Sequence, residues 1–520
     1  MMNLTQVLHR NVQQCATQPA VCFRDSVWTY TELQERVQRV AGALQSLGVE
    51  AGDRVAILSL NSSCYIEYLL AVPWAGGVLN PVNTRWSASE IAYSLRDSDT
   101  RVLIVDDTFA SLVPAIKEQA QLLEHIVYCG DGHTPEGLLN YESLLNTADP
   151  VADANRGGDD LAGIFYTGGT TGFPKGVMLS HTNLLSSAVC FALSSGVPRG
   201  TKMLHAAPMF HLADLASVML AFMQGGTQVI VPAFDPTVVS DAIKAHQVTD
   251  TLLVPTMVQM LFDDSSFDAS KLASLERLIY GASPMPIATL DRVEKELPSL
   301  GLIQAYGMTE LAPVITVSPA DNHTAEARAS GRIRSAGLAG ALQEIRIVDE
   351  QGNELPRGEV GEIIARGPNV MQGYWGKPEQ TAEAVVDGWM HTGDGGYMDD
   401  EGYIFVVDRV KDMIISGGEN IYSAEVESVV SQHPDVAQCA VIGIPSEQWG
   451  ESVHVVIVPA VSSSEITVEG LRDFCRQHIA GYKCPRSFSL AESLPLSGAG
   501  KILKTELRKP YWEKQGAGVA

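Results

Sequence analysis

No C-x-x-C pair occurs among the eight cysteines, at positions 15, 22, 64, 129, 190, 439, 475 and 484, and each stands among apolar neighbours. That argues against zinc ligation and a disulfide frame, and points to reduced, buried thiols in a cytosolic protein. Nor does any apolar run approach the roughly 18 residues that a membrane span needs; the densest is 215–223. Residues 1–10 lack the apolar core of a secretory signal, so the expected location is cytoplasmic. Basic residues are scarce: 36 Lys and Arg face 61 Asp and Glu, a formal charge of −25. A nucleic-acid backbone or an anionic membrane is repelled on average, so an anionic small molecule has to meet a local basic site. Internal repeats and low-complexity blocks are missing too.

At 520 residues the chain is too long for one hydrophobic core, which predicts two or more packed units. Its 45% hydrophobic and 19% charged content is that of a globular protein. Short apolar runs at 55–58, 102–105, 228–231, 251–254 and 278–279 alternate with segments of helical spacing, the pattern of parallel sheets covered by helices. The first long helix is expected from Thr29 onward, with Thr31 and Gln34 as its capping box, Leu33, Val37, Val40, Ala41 and Leu44 as its apolar stripe and Gly48 as its stop. From about Ala339 the rhythm changes. Short strands at 344–348, 362–365 and 403–407, separated by Gly and Asp turns, predict antiparallel pairing. After Arg409 comes a compact tail with helices at 424–432 and 468–479 and strands at 438–442 and 453–458. The expected fold class is α/β: a large N-terminal domain of helix-covered sheets plus an antiparallel β region, residues 1–409, and a small mobile α+β domain, residues 410–520.

The stretch 166–181 carries Gly168, Gly169, Gly172 and Gly176 together with Thr167, Thr170, Thr171 and Lys175. Glycines turn tightly and leave amide hydrogens uncovered, threonines add hydroxyl donors, and Lys175 adds a fixed positive charge. Such a loop suits phosphate oxygens. It is not the G-x-x-x-x-G-K-[ST] loop of nucleoside triphosphatases, because Lys175 lies between Pro174 and Gly176 and no hydroxyl stands where that loop places its magnesium ligand. A plain surface connection between a strand and a helix would carry this composition only by accident.

The loop resembles the phosphate-binding signature of the adenylate-forming superfamily: acyl-CoA synthetases, hydroxycinnamate-CoA ligases, firefly-type luciferases and peptide-synthetase adenylation domains. The resemblance runs over most of the chain. Such an enzyme joins a carboxylate to AMP, and the mixed anhydride then drives thioester formation. Gln304, Ala305, Tyr306, Gly307, Met308, Thr309 and Glu310 match the second nucleotide motif. The match implies that Tyr306 stacks on adenine, that Thr309 touches the α-phosphate and that Glu310, with Thr170, holds Mg2+, for which a hard oxygen ligand is suited. Without it, Glu310 reads equally as a helix-starting acid. Gly281, Ala282 and Ser283 form a small-residue turn against which a flat base could lie, and an ordinary strand-to-helix connection fits them as well. Asp394 ends a segment similar to the ribose motif; the family pattern adds Arg409 to the ribose contact and sets Lys411 near the interdomain hinge.

Lys501, framed by Gly498 and Gly500, resembles the catalytic lysine of the C-terminal domain. Three departures from the family pattern stand nearby: Ser497 for the usual threonine, Lys504 for arginine, and Ser423 for a frequent proline. Lys504 and Lys509 are expected at the solvated surface. His211 lies where the family begins its acyl pocket, with Leu212, Ala213, Ala216, Gly281, Ala305, Gly307 and Val314 as shaping residues; a packed helical residue is an equal reading of His211.

The motifs, in this order, imply a free-standing acyl-CoA synthetase that uses ATP, Mg2+ and coenzyme A, with Lys501, Glu310 and Thr309 as catalytic residues and the nucleotide on residues 167–172, 175, 281–283, 304–309, 394, 409 and 501. Small pocket residues favour a medium- or long-chain fatty acid, with aryl or arylpropenoic acids next. The alternatives are an acyl-AMP ligase serving a carrier protein, a peptide-synthetase domain, a luciferase-like oxygenase and a silent adenylate-binding scaffold. The chain stops nineteen residues after Lys501, which leaves no space for a fused carrier domain. Asp214 is a weak match to the aspartate with which peptide synthetases hold an amino group, and retention of Lys175, Glu310, Asp394, Arg409 and Lys501 argues against a silent scaffold. Expected partners are a small carboxylic acid and coenzyme A, without nucleic acid or an integral membrane segment; a homodimer is left open.

Overall fold

The first long helix starts where the sequence places it but on a different cap. In the computed structural model, which describes residues 2–167, 174–409, 412–417, 419–446, 448–460, 466–498 and 500–512, the N-cap of helix Tyr30–Ser46 is Thr29 rather than Thr31. Thr29 is extended, its hydroxyl accepts from Glu32 N, and the Glu32 carboxylate accepts in return from Thr29 N at 2.7 Å. A carboxylate at N3 is a stronger acceptor than the amide of Gln34, which decides between the two registers. The predicted stripe Leu33, Val37, Val40, Ala41 and Leu44 is buried. Helix Ser63–Ala75 is apolar on nearly every side and buried on every side from Cys64 onward, the signature of a helix enclosed between layers.

Among the described residues the strands form four sheets. One has eight strands, in the order Gly373–Tyr374, Lys175–Ser180, Leu161–Thr167, Val78–Pro81, Arg54–Leu58, Val102–Val105, His125–Tyr128, Leu139–Asn140. Its first two pairings are antiparallel and the others parallel. A second has nine strands, with a parallel centre from Gly301–Gly307 through Arg277–Gly281, Asp250–Leu252, Lys202–His205 and Thr227–Ile230 to Pro19–Phe23. Helices Tyr30–Ser46, Ser63–Ala75, His181–Ser195 and Leu212–Met223 supply side chains to the principal core, which also takes Val55, Ile57 and Leu179 of the first sheet and Val21 and Ile230 of the second. The third sheet, Glu344–Val348, Gly361–Arg366, Trp389–Met398 and Ile404–Arg409 with Val385–Val386, is antiparallel throughout, as the Gly and Asp turns predict.

The tail has its own sheet, in which Val436–Ser446 and Gly450–Pro459 form a long hairpin. Its strands Ile414–Ser416, Glu419–Ile421 and Ser487–Leu490 are too short to give a periodic signal and go unseen in the sequence. Helix Val468–Arg476 ends before the predicted 479.

Lys504 corrects an expectation. Its side chain is only 13% exposed: Nζ lies 2.8 Å from Glu427 Oε1 and donates to Ser423 Oγ. The Ser423 amide in turn donates to Asp408 Oδ2. All eight cysteines are free, and Cys15, Cys129 and Cys439 are half-buried rather than buried. Among the described residues no helix is long and apolar enough to cross a membrane.

Candidate active site

The site is built at one end of the nine-stranded sheet. Strands Arg277–Gly281 and Gly301–Gly307 run parallel with Tyr280 opposite Gln304 and Gly281 opposite Ala305. They approach so closely at the tip that a Cβ on Gly281 would lie 2.3 Å from the Ala305 carbonyl oxygen. Glycine is obligatory there. The next residue, Ala282, takes φ +68°, a conformation that L-residues avoid, so the turn carrying Ser283 is strained where the sequence offers a slot for a flat ring. Behind it the Tyr280 hydroxyl lies 3.3 Å from Gln304 Oε1 and 2.8 Å from His323 Nε2. Burial pushes the His323 imidazole down to about 4, so this group stays neutral.

From Gly307 the chain passes through Met308 into the short turn Thr309–Leu311, which carries Glu310 into the interior, 7% exposed. Glu310 Oε1 accepts from the Tyr374 hydroxyl at 2.9 Å. The ammonium of Lys175 stands 4.9 Å from the centroid of the same tyrosine ring. Thr167 ends strand Leu161–Thr167 directly opposite Lys175. The glycine-threonine loop thus joins two antiparallel strands, not a strand and a helix. Gly168, Gly169, Thr170, Thr171 and Gly172 lie outside the described residues, as does Lys411.

Asp394 and Arg409 face each other across strands Trp389–Met398 and Ile404–Arg409, with Arg409 Nε 3.1 Å from Asp394 Oδ1. The other oxygen, Asp394 Oδ2, accepts from the Tyr306 hydroxyl at 2.8 Å. Burial first and the Asp394 charge second hold the Tyr306 phenol well above its ordinary range, so it stays a donor. This bond fixes the hydroxyl end of the ring for which the family resemblance implies base stacking.

The tail reaches this centre through a tight turn. Ser497 N donates to Lys501 O at 2.7 Å, Gly500 N to Ser497 O at 2.9 Å, and Gly500 adopts φ +77°. Arg85 Nη1 donates to Ser497 O at 2.7 Å, and the Thr256 hydroxyl reaches Gly500 O at 3.5 Å. The turn is therefore docked against the large lobe. Lys501 is held below the ordinary lysine value by burial and by the Arg409 charge, opposed by Asp394 and Glu310. Four charged groups from distant segments thus act on one another.

His211 caps helix Leu212–Met223: its Nδ1 accepts from Ala213 N at 3.2 Å. Burial, with the Lys501 charge as the second cause, pushes it down to about 4, so this imidazole stays neutral. Ala216, Val314 and Ala305 belong to one apolar cluster with Phe191, Leu220 and Ile303, whereas Leu212 turns into the principal core and Ala213 is half-buried. A Cβ on Gly307 would lie 1.9 Å from the Pro313 carbonyl oxygen, so that glycine serves backbone approach. Asp214 does not face a ligand's amino group; it is wholly buried with Oδ2 3.0 Å from His205 Nδ1.

The sequence reading missed Tyr374. Its signal was an aromatic pair, Tyr374-Trp375, between Gly373 and Gly376. One carboxylate, Glu310, with one oxygen engaged by Tyr374, is a donor set that fits Mg2+ carried on phosphates, since that ion takes one or two carboxylates beside its substrate. Among the described residues no group of three or more His, Cys, Asp or Glu could hold a metal by itself.

Comparison with known proteins adds to this geometry. Residues 8–375 match the family described as AMP-binding enzyme, and residues 425–501 match AMP-binding enzyme C-terminal domain. A feruloyl-CoA synthase of Amycolatopsis sp is 41% identical over 493 residues, 95% of this chain and 96% of that protein. The long-chain-fatty-acid–CoA ligase FadD13 of Mycobacterium tuberculosis is 34% identical, with 93% of each chain covered. The crystal structure of the anthranilate CoA ligase AuaEII in complex with anthranoyl-AMP superposes with a TM-score of 0.91 at 25% identity, covering 99% of this chain and 98% of that one.

Proposed function

The chain belongs to the AMP-binding enzyme family, and from that premise we propose how its pocket divides the work of activating a carboxylic acid. The protein is an AMP-forming acid–thiol ligase that uses ATP, Mg2+ and coenzyme A. A carboxylate oxygen attacks the α-phosphorus of ATP and pyrophosphate leaves; the coenzyme A sulfur then attacks the acyl carbon and AMP leaves.

In our reading Asp394 accepts from the ribose hydroxyls beside Arg409, and Tyr306 offers its ring to adenine over the Gly281–Ser283 turn. Lys175 and the loop it closes bind the phosphates. Glu310 and Thr170 would hold Mg2+, which neutralises phosphate charge. Lys501 donates to the oxygens on which charge builds during the first step, and His211, neutral, lines the carboxylate end of the acyl pocket. Alignment of both reactants by this frame supplies roughly 7–11 kcal/mol in favourable cases. The observation that carries the reading is the docked tail turn, which sets Lys501 within the field of Asp394, Glu310 and Arg409.

We place the domain boundary between residues 409 and 410, since the third sheet ends at Arg409 and the first strand of the tail's own sheet is Ile414–Ser416, and a cytoplasmic setting suits the need for ATP and coenzyme A. For the acid we propose an arylpropenoic acid of the ferulate type. The small side chains of Ala216 and the half-buried Ala305, expected to shape the acyl pocket, leave room for a flat ring, and the higher identity to the feruloyl-CoA synthase points the same way. A medium- or long-chain fatty acid is the second reading, supported by the likeness to FadD13. Thioester formation measured with acetate, octanoate, palmitate, benzoate and ferulate tests both. Ferulate should have the highest kcat/KM; preference for palmitate or octanoate overturns the first reading in favour of the second.

A further inference from the structure

Tyr374 joins two groups of opposite charge that the reaction needs separately. It lies on the short edge strand Gly373–Tyr374, paired antiparallel with Lys175–Ser180. Three backbone bonds fix that strand: Met371 N donates to Glu310 O at 2.9 Å, Gln372 N to Met178 O at 3.0 Å and Trp375 N to Gly176 O at 2.8 Å. Tyr374 N is itself bound by the Thr381 hydroxyl at 2.9 Å. The side chain, 7% exposed, therefore has little freedom. Its hydroxyl donates to Glu310 Oε1 and its ring face receives the Lys175 ammonium.

We propose that Tyr374 is a positioning residue that presents Glu310 to the metal through its remaining oxygen while its ring keeps Lys175 from pairing with that carboxylate. The inference rests on the reading of Glu310 as the Mg2+ carboxylate. A carboxylate with two free oxygens can rotate and can collapse onto a neighbouring ammonium, and both motions withdraw charge from the metal. With one oxygen anchored by a hydroxyl, only the other is offered. A phenol is suited to both duties at once, since its polar end hydrogen-bonds while its π face attracts a cation. Outer groups that orient a metal-binding carboxylate typically govern 10–100-fold of metal affinity.

The test is Mn2+ binding, followed by electron paramagnetic resonance, to the full-length enzyme saturated with α,β-methylene ATP, which cannot release pyrophosphate. Tyr374→Phe keeps the ring and the core packing and should weaken Mn2+ binding about 10–100-fold, with metal-free binding of the analogue falling far less. Tyr374→Leu should weaken both, because the platform under Lys175 goes too. Glu310→Gln in the same assay separates the two levels of the argument. If it abolishes tight Mn2+ binding while Tyr374→Phe binds as the parent does, the role of Tyr374 is overturned and that of Glu310 stands. If Glu310→Gln binds Mn2+ as the parent does, both are overturned.

Discussion

Replacing Lys501 by alanine removes the cation that the tail carries into the pocket. Its charge lies among those of Asp394, Glu310 and Arg409, in a site half shut off from water. A unit charge about 4 Å from a developing oxyanion, at the effective dielectric of a protein site, contributes at most about 4 kcal/mol. Water entering the vacated space restores part of that. The expected loss is therefore about 10² to 10³ in the rate of adenylate formation, the range found when single donors are removed from such sites. Pyrophosphate release measures this step. Thioester formation from synthetic acyl-adenylate should be spared, because the α-phosphorus has already reacted. The pH dependence gives a second check. Burial and Arg409 lower the lysine, so the ammonium form is lost at a lower pH than for an exposed lysine, and the alkaline limb of adenylate formation should come correspondingly early. Equal losses in both half-reactions would refute the assigned role.

Two further outcomes follow from contacts described above. Asp394→Asn leaves Arg409 without its charge partner and weakens the bond from Tyr306, so KM for ATP should rise roughly 10–100-fold in steady-state kinetics with the fold intact by circular dichroism. Burial pushes His181, His211, His323 and His454 each down to about 4 from an ordinary 6.5. The unfolded chain binds these protons first as pH drops, so stability is present above about 6.5 and is lost on the way to 4, by on the order of 1–3 kcal/mol per group. Urea midpoints between pH 7 and 4.5 should fall accordingly. His323→Gln should flatten the slope by one proton, and an unchanged slope would remove His323 from this account.

The grouping of Glu310, Asp394, Arg409 and Lys501 came from the resemblance of their stretches to the family's motifs; by residue type and spacing alone Glu310 reads equally as a helix-starting acid. The antiparallel region was legible from its turns. Partners made by the fold were not. The bond from Tyr374 to Glu310 spans 64 residues, and no local pattern announces it. Lys504 was misread because a lysine near a chain end is usually solvated; only folding brings Glu427 and Ser423 to it. The capping box was displaced because Gln34 and Glu32 both satisfy the spacing from a threonine, and charge decided between them.

The contact of Ser423 with Lys504 matters to anyone who recombines this chain with a relative. Two positions that depart from the common pattern touch each other, and the Ser423 amide also holds Asp408, a bond that proline, lacking the hydrogen, cannot make. A crossover placed between residues 409 and 410 would part Asp408 from its donor and hand it a foreign tail. Hybrids joined ahead of strand Ile404–Arg409 keep acceptor, amide and ammonium from a single parent, and that is where the seam belongs.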